Sequence, residues 1–457
     1  MKLTSEKNTI ESIELTQNAA LQNRLLHLKK QFNALLDRDN PGEYLSWWIA
    51  EDAFELPTSV IEKLQRGGVA LQHFFEVANQ LFYRDPAIQA QLEKHITRNY
   101  HLLNFAQPDS LPLMPRPDMV LDSNWQPRFV ELEMTVCARF DTAAMDEQYG
   151  LDPNKSMVKA YADYFKQRWP GKTLALLTTP HPLWWYIVDE AIPFAERLRR
   201  EGLDVVVLEG RNISHLRFDH HQLTLNTEDG GHKAIHVIDR FIDIYELAEL
   251  QHPGMAAILD AYVAGAIESV NTCKQFLDEK QWMSIFWDHR YRSAWREGLG
   301  EEHDKLLREM IPRTWDIDVD SQIELHNGET VGLLQLADLP AEQRHFVIKE
   351  SGTSATSSGA QSLKVLSEYH REEVRDLLTR IKESRSRYVL QEIVESPRIS
   401  FTALNPNDND KVIQQHGARM KFSVFYVNGA MTNIKFIASN AEFAVNNRDC
   451  IEGIVRY

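Results

Sequence analysis

Three acidic residues and an arginine occur in two neighbouring segments whose spacing suits a metal-binding hairpin. The segment Arg116-Pro117-Asp118 leads into a predicted strand, and a short polar turn joins it to a second predicted strand that carries Glu131 and Glu133. Side chains two residues apart on a strand point to the same face, so the two glutamates lie side by side. Asp118 is expected to reach them from the neighbouring strand.

Crowded carboxylates at this hairpin need a compensating charge. Like charges at short range repel unless a cation neutralises them or protonation removes the charge. Hard oxygen ligands suit Mg²⁺ bound together with substrate phosphates, and Arg116 would then face the transferred phosphate. An amphipathic hairpin with a solvated acidic face is an equally open interpretation, since exposed glutamates are common.

A second group of residues indicates phosphate binding near position 350. The predicted strand Phe346–Lys349 ends in a lysine, for which a phosphate is a natural partner when the ammonium group is buried. The following loop is rich in small hydroxyl residues, and its glycines allow backbone N–H groups to approach phosphate oxygens. We interpret the loop as a phosphate lid, although its composition also fits a mobile linker. The lid extends from Ser351 to Ser362, and its expected nucleotide contacts include Ser351, Gly352, Ser358 and Gly359.

The apolar segment Tyr388–Val394 is a third candidate, because it contains one amide and one carboxylate side chain. In a hinge strand beside a purine, backbone groups around Glu392 and Ile393 pair with adenine, and Gln391 or Glu392 serves the ribose. Val394 is a further expected nucleotide contact. An edge strand with one solvated face is the alternative. Arg419 lies at the start of a later predicted strand and is a candidate for a second cation that binds the phosphates. An arginine on the protein surface without such a role is the alternative.

The size and charge of the chain point to a globular protein with a small-molecule partner. At 457 residues the chain is too long for one ordinary core, so two or three domains or one large multilayer unit are expected. Its 43% hydrophobic and 25% charged residues are typical of soluble globular proteins. The formal net charge of −16 argues against a nucleic-acid partner, which usually requires a basic surface.

The sequence also favours a cytoplasmic protein without a membrane partner. Its three cysteines, Cys137, Cys273 and Cys450, are widely spaced, which fits a reducing compartment. The segment Met1–Glu14 is polar and lacks the apolar run of a signal peptide or membrane span.

The predicted elements give a mixed α+β and α/β chain in four parts. Residues 1–110 form a helical region, with apolar residues at helical spacing from Ile10 to Asn104; residues 111–150 hold the acidic strand pair. Residues 151–281 form a βαβ domain, and residues 282–457 an antiparallel region that carries the lid. The elements predicted in the last two parts are strands Leu174–Thr178, Asp204–Leu208, His236–Tyr245, Phe346–Glu350, Tyr388–Val394, Lys421–Val427 and Asn433–Ala438, and helical segments Tyr186–Arg200, Gly254–Gln281 and Tyr369–Ser384.

Taken in order, these segments resemble the circularly permuted ATP-grasp enzymes, the group that contains the synthetase domain of glutathionylspermidine synthetase. In that group the strand pair with the Mg²⁺ ligands precedes the nucleotide-binding lysines. The motifs that carry the resemblance lie between about Pro112 and Val427. They are Arg116-Pro-Asp118 with Glu131-Leu-Glu133, Ile238-Asp-Arg240 with Tyr245-Glu246, Ser269-Val-Asn271 with Leu277-Asp-Glu-Lys280, Pro312-Arg-Thr314, Val347-Ile-Lys349, and Val389-Leu-Gln391-Glu392.

The resemblance implies an ATP-grasp-like fold in circularly permuted order, with a βαβ pre-ATP-grasp-like domain and an added amino-terminal helical layer. It also implies ATP and Mg²⁺ as cofactors. The implied ligands are Asp118, Glu131 and Glu133 for Mg²⁺, Arg116 for the γ-phosphate and an acyl phosphate, Lys349 for the ATP phosphates, and Gln391 and Glu392 for adenine.

The chain departs from the family pattern in several respects. The position of Glu133 is commonly asparagine in the family, so this chain adds a charge there. No second nucleotide lysine precedes the hinge, where Arg385 and Arg387 occur instead. We identify no counterpart of the helical amino-terminal layer in the family, and we find no segment of this sequence that is expected to form a separate amidase domain.

The resemblance therefore favours an ATP-dependent carboxylate–amine ligase that forms an amide or peptide bond through an acyl phosphate. Its substrates are expected to be a small carboxylate and an amine, such as an amino acid, a peptide or a polyamine. Two alternatives stay open. One is a phosphotransferase of the same fold, and the other is a catalytically silent nucleotide-binding or interaction protein, which the missing second lysine motivates.

Overall fold

The computed structural model describes helices and strands over most of the chain. Its described residues are 10–13, 23, 47–94, 96–134, 139–178, 185–210, 212–227, 230–317, 322–325, 327–352, 363–384, 386–405, 411–440 and 450–457. The α-helices in these ranges are α1 (Thr58–Arg84), α2 (Pro86–Leu92), α3 (Arg98–Ala106), α4 (Arg139–Gln148), α5 (Met157–Arg168), α6 (Trp185–Arg200), α7 (Ile244–Glu249), α8 (Pro253–Val263), α9 (Gln281–Trp287), α10 (Arg292–Met310) and α11 (Arg371–Glu383). Among these helices, none has the length and apolar character needed to cross a bilayer.

The strands of the described residues fall into several sheets, of which a nine-stranded sheet is the largest. They are β1 (Ile10–Ile13), β2 (Trp47–Ala50), β3 (Phe54–Glu55), β4 (Arg116–Leu121), β5 (Pro127–Glu133), β6 (Thr173–Leu177), β7 (Asp204–Leu208), β8 (Leu216–Asp219), β9 (Gln222–Asn226), β10 (His232–Ile235), β11 (Val237–Arg240), β12 (Glu268–Ser269), β13 (Thr314–Asp316), β14 (Gln322–Glu324), β15 (Thr330–Gly332), β16 (Phe346–Ser351), β17 (Lys364–Val365), β18 (Arg387–Glu392), β19 (Ile399–Asn405), β20 (Lys411–Val427), β21 (Ala430–Ser439) and β22 (Cys450–Arg456). The large sheet runs in the order β19-β2-β22-β21-β20-β4-β5, with β1 beside β20 and β3 beside β22.

The predicted acidic strand pair is confirmed as the antiparallel hairpin β4–β5, which forms one edge of the nine-stranded sheet. Its turn is held by the Asp122 carboxylate, whose Oδ1 accepts the backbone N–H groups of Asn124 at 2.9 Å and Gln126 at 3.0 Å. Trp125 adopts a left-handed conformation with φ of 59° between them. Short polar side chains that bond to nearby backbone favour such turns, so this local sequence specifies the hairpin.

The two faces of the nine-stranded sheet differ in chemistry. Met420, Phe422 and Val424 of β20 are buried in an apolar core that α1 and α10 share. Because alternate residues of a strand point to opposite faces, Lys421 and Ser423 lie on the other face, where both are half-buried. This second face also carries the acidic residues of the hairpin.

The predicted βαβ unit is also confirmed. β6 and β7 are parallel neighbours joined by α6, and β11 pairs in parallel with the other edge of β6. Every residue of β6 is buried, as expected for a parallel strand covered by helices on both faces.

Lys349 belongs to a separate, smaller antiparallel sheet, in the order β13-β18-β16-β17. The predicted helix near position 370 is confirmed as α11, which contributes Leu378 to an apolar core with Phe346 and Leu390 of this sheet. We expected β20 and β21 to belong to the same unit as Lys349, but they lie in the nine-stranded sheet. The long β20 pairs there with β4, β19 and β21, so the carboxyl-terminal region contributes to two sheets.

Other expectations about secondary structure were wrong. Ile10–Ile13 is a strand paired with β20 instead of the start of a helix, and Trp47–Ala50 is a strand beside β22. The segment 254–281 is not one helix, because α8 ends at Val263 and a 3-10 helix at Gln275–Asp278 precedes α9. Short strands depend on distant pairing partners that local periodicity does not reveal. Within the predicted helical region, residues 14–46 lie outside the described residues, except for Asn23.

Two consecutive glycines in α1 offer a matched test of its packing on the sheet. A Cβ atom at Gly68 would collide with the carbonyl oxygen of Gly429 and the ring of Tyr426, whereas one at Gly67 would lie 3.1 Å from the flexible end of Met310. We therefore expect Gly68→Ala to destabilise the protein by about 2 kcal/mol, since overpacking costs that much. Gly67→Ala is expected to stay within about 1 kcal/mol of wild type, because alanine also favours the helix. Urea unfolding of the two variants measures the difference, and equal midpoints would contradict this packing.

Lys274 offers a test of pH dependence. Its buried ammonium group donates to Asn79 Oδ1 at 2.7 Å, the Pro108 carbonyl at 2.6 Å and the Ser110 carbonyl at 2.8 Å, and burial lowers the pKa of Lys274 to about 7. Between pH 7 and the ordinary lysine value of about 10.4, the unfolded chain holds a proton that the folded chain has lost. The free energy of unfolding of the wild-type protein is therefore expected to increase with pH relative to that of Lys274→Met. The difference between the two proteins should change by up to about 1.4 kcal/mol per pH unit. Urea unfolding of wild type and Lys274→Met at several pH values from about 7 to 9 tests this prediction. A difference in unfolding free energy that does not change with pH would refute it.

Candidate active site

The acidic residues predicted from the sequence meet at one point. In the β4–β5 ladder, Arg116 lies opposite Glu133 and Asp118 lies opposite Glu131. Carboxylate oxygens from Asp118, Glu131 and Glu133 all lie within 4.8 Å of one another. We refer to these three residues as the acidic trio, and their predicted proximity is confirmed.

Asp118 is the most deeply buried member of the acidic trio, with 1% of its side chain exposed. Lys421 Nζ lies 2.6 Å from its Oδ2, Ser423 Oγ donates to its Oδ1 at 2.8 Å, and Arg116 Nε lies 3.8 Å away. Burial opposes ionisation, but Lys421 and Arg116 outweigh it and lower the pKa of Asp118 to about 2. Asp118 is therefore an anion at neutral pH.

The two glutamates are also paired with cations. Lys280 Nζ lies 2.7 Å from Glu131 Oε1, and Arg116 forms an ion pair with Glu133 across the ladder. Burial favours the protonated form of Glu131, yet the charges of Lys280 and Lys349 lower its pKa. Asp118 and Glu131 are thus ionised, and all three carboxylates of the acidic trio have cationic neighbours.

Lys349 joins the smaller sheet to the acidic trio. Its Nζ donates to the Val130 carbonyl oxygen of β5 at 2.8 Å and to Gln391 Oε1 at 2.8 Å. Burial lowers the pKa of Lys349 to about 8, with Glu131 opposing and Lys280 reinforcing that shift. The predicted phosphate lysine and the predicted metal ligands therefore lie at one junction between the two sheets. We call this group the charge cluster: Arg116, Asp118, Glu131, Glu133, Lys280, Lys349 and Lys421.

The start of the predicted lid is held by a buried hydrogen-bond network. Ser351 Oγ donates to Glu279 Oε2 at 2.6 Å and accepts the backbone N–H of Gln281 at 3.1 Å. The Ser351 hydroxyl at the end of β16 is therefore bound by Glu279 and Gln281 in this structure, and its nucleotide contact remains a prediction. Gly352 follows with a φ of 126°, a backbone conformation that favours glycine. Ser358 and Gly359 lie outside the described residues, so their nucleotide contacts remain predictions.

The predicted adenine hinge is corrected in two respects. Gln391 is buried, accepts from Lys349 and donates to Thr314 Oγ1 at 3.1 Å, so its side chain positions the lysine. The backbone N–H groups of Glu392 and Ile393 donate to the carbonyls of Arg313 at 2.9 Å and His345 at 3.0 Å, so they are not available to a purine. The segment is an inner strand of the small sheet rather than an edge strand, because β18 lies between β13 and β16. Val394 follows the end of β18, and its nucleotide contact remains a prediction.

Lys280 and Lys421 are site residues that our sequence reasoning did not identify as such. Lys280 entered only as part of a family motif, and Lys421 only as the start of a strand. The alternation Arg419-Met-Lys421-Phe-Ser423 was the available signal, because it places three polar side chains on one face of a strand. Arg419 lies opposite Ser439 in the sheet, on the same face as Lys421, and its catalytic role remains a prediction.

The chemistry of the charge cluster fits Mg²⁺ and a polyphosphate. The acidic trio supplies closely spaced anionic oxygens, which are the ligands that Mg²⁺ prefers. Lysine and arginine are the side chains that bind phosphate oxygens most strongly, and they approach this point from both sheets.

Comparisons with known proteins identify a fold but no family. No protein-family profile matches the chain, and no curated protein matches it. A solved glutathione synthetase-like effector from Globodera pallida, in its apo form, has a TM-score of 0.59 at 13% identity, with 95% of this chain and 96% of that chain covered. A putative gamma-glutamylcysteine synthetase from Methylobacillus flagellatus KT has a TM-score of 0.39 at 13% identity, with coverage of 82% and 84%.

The likeness to the effector shows that this chain has a mixed α/β fold of the glutathione synthetase-like kind over nearly its whole length. At this identity the likeness concerns the fold alone, and the second structure is too distant to bear on it. The circularly permuted order, the four-part division and the closer resemblance to glutathionylspermidine synthetase remain predictions.

Proposed function

We propose that this protein is a cytoplasmic, ATP- and Mg²⁺-dependent ligase that joins a small carboxylate to an amine. The observation that carries the proposal is the convergence of the acidic trio from one sheet with Lys349 from another. This combination suits a metal ion and a triphosphate bound at one place. The glutathione synthetase-like fold supports the proposal.

The residues of the charge cluster act by positioning and by stabilising charge. Lys280, Lys349 and Lys421 bind phosphate oxygens of ATP, and Arg116 stands beside the phosphate that is transferred. Mg²⁺, when bound by the acidic trio, supplies further neutralisation of the phosphate charge. The substrate carboxylate attacks the γ-phosphate to give ADP and an acyl phosphate; an amine then attacks the acyl carbon and phosphate leaves.

A screen of substrate pairs tests the proposal. The purified protein is incubated with Mg²⁺, ATP and panels of amino acids, peptides and polyamines, and ADP, phosphate and amide products are quantified by mass spectrometry and phosphate assay. Equal amounts of ADP, free phosphate and amide are the expected result. A stable phosphorylated acceptor without free phosphate would instead identify a phosphotransferase.

One observation favours a second candidate, a nucleotide-binding protein without catalytic activity. Each carboxylate of the acidic trio already has a cationic partner within the protein. Carboxylates that are already paired in this way do not require a metal ion to offset their charge. Binding of Mg²⁺ and ATP without turnover across the whole panel would support this candidate over the ligase.

A further inference from the structure

We propose that Lys280 and Lys421 keep the acidic trio closed to a free divalent ion, and that a polyphosphate opens it by drawing both ammonium groups away. This inference rests on the proposed function and adds an order of binding to it. Mg²⁺ then enters the charge cluster together with the nucleotide and not before it.

The contacts of Asp118 leave no carboxylate oxygen without a partner. Oδ2 is 2.6 Å from Lys421 Nζ, and Oδ1 accepts from Ser423 Oγ at 2.8 Å. The side chain is 1% exposed, so little solvent screens this ion pair. A metal ion approaching Asp118 would therefore meet the Lys421 ammonium group beside the same carboxylate, and this repulsion opposes binding until the lysine has moved.

Glu131 is also paired with a lysine, through one of its two carboxylate oxygens. Lys280 Nζ lies 2.7 Å from its Oε1, and the side chain of Lys280 is only 12% exposed. Lys280 directly follows Glu279, a buried residue that is fixed by Ser351. Ser351 Oγ also accepts the backbone N–H of Gln281, so both neighbours of Lys280 are bound, and we expect the carboxylate to be released by movement of the Lys280 side chain.

The charges of the cluster explain why a polyphosphate can release these lysines. The three carboxylates of the acidic trio stand against four cations, Arg116, Lys280, Lys349 and Lys421, which leaves one excess positive charge when all are ionised. A divalent ion alone would add to that excess in a poorly solvated site. A triphosphate offers the lysines new anionic partners, and the vacated carboxylates then favour the metal. Binding linkage is reciprocal. If the nucleotide increases the affinity for the metal by a given factor, the metal must increase the affinity for the nucleotide by the same factor.

Binding measurements that need no catalysis test the proposal. Mn²⁺ serves as the metal probe and β,γ-methylene ATP as the nucleotide probe; electron paramagnetic resonance follows Mn²⁺ and calorimetry follows the nucleotide. For wild type we expect no Mn²⁺ binding at millimolar concentration without the nucleotide analogue. We expect the analogue to bind at least tenfold more tightly with Mn²⁺ than without it.

Two substitutions separate the lysines from the rest of the cluster. Lys280→Gln and Lys421→Gln each remove one charge and keep a hydrogen-bond donor, and they lie on different elements, so each tests the proposal independently. Each is expected to increase the affinity for Mn²⁺ alone at least tenfold and to weaken binding of the analogue. Lys382→Gln, at an exposed position of α11, is the control and is expected to change neither.

The outcomes distinguish this inference from the proposed function. Tight Mn²⁺ binding by wild type without the analogue, or unchanged Mn²⁺ affinity in both variants, would overturn the inference even if the Mn²⁺–analogue complex binds well. Increased Mn²⁺ affinity in the variants, with no binding of the complex to wild type, would reject polyphosphate as the releasing ligand and the proposed function with it.

Discussion

A Lys349→Met variant is expected to bind ATP at least a hundredfold more weakly than wild type while remaining folded. Lys349 places a cation from the smaller sheet beside the acidic trio, where a triphosphate would meet it. Hydrogen bonds to charged groups contribute roughly 1.5–3 kcal/mol each, and a hundredfold loss corresponds to about 2.7 kcal/mol. The fold should survive, because burial already disfavours the charged form of this lysine and lowers its pKa to about 8.

Calorimetric titration with Mg²⁺ and β,γ-methylene ATP measures this effect, and circular dichroism and thermal unfolding report on the fold. Lys382→Met is the matched control, since it removes a lysine from the exposed surface of α11 beside the same small sheet. The control should bind like wild type. If Lys349→Met bound the analogue within threefold of wild type, Lys349 would not be a phosphate ligand.

The second large effect is expected from Arg387→Met, which should destabilise the protein by about 3–5 kcal/mol. The Arg387 guanidinium is paired with Glu279 and donates to the carbonyls of Gln91 and Leu92 at the end of α2. The side chains of Arg387 and Glu279 are 6% and 0% exposed. Removing one partner of a buried ion pair leaves an uncompensated charge, which is the costly case.

A double-mutant cycle separates the contribution of the Arg387–Glu279 ion pair from the loss of packing that the substitution itself causes. Glu279→Gln combined with Arg387→Met should recover much of the lost stability, because no buried carboxylate then remains unpaired. Arg371→Met provides the comparison with a surface pair: Arg371 contacts Asp338 with both side chains about half-exposed, and the change should be below about 1 kcal/mol. Urea unfolding of wild type, the two single variants, the double variant and Arg371→Met measures these effects, and a cost below about 1 kcal/mol for Arg387→Met would contradict this role.

Arg387 also shows how a family comparison can mislead. We noted this arginine where a second nucleotide lysine was expected before the hinge. In the structure it is committed to Glu279 and helix carbonyls, and the additional lysines near the acidic trio come from other segments. Lys280 follows a 3-10 helix and Lys421 lies in β20.

The acidic hairpin and the βαβ unit could be predicted because their signals are local. Alternation places Glu131 and Glu133 on one face, the turn residues fix the register with Asp118, and hydrophobic periodicity identifies β6, α6 and β7. These elements needed no knowledge of distant partners.

The remaining features depend on contacts between distant segments. Periodicity assigns Lys421 to a face of its strand but does not reveal that β4 is the neighbouring strand. The same limit explains why Gln391 seemed available to a nucleotide, although Lys349 and Thr314 occupy its amide. It also explains the missed strand at Trp47–Ala50, whose partners lie near positions 403 and 450.

Calorimetric titration of the wild-type protein with β,γ-methylene ATP, with and without Mg²⁺, tests most directly whether the acidic trio and Lys349 form one nucleotide site. We predict measurable binding that Mg²⁺ strengthens at least tenfold and that Glu131→Gln returns to the metal-free value. Absence of binding at millimolar analogue, or equal affinity with and without Mg²⁺, would contradict the assignment of this junction as a metal-nucleotide site.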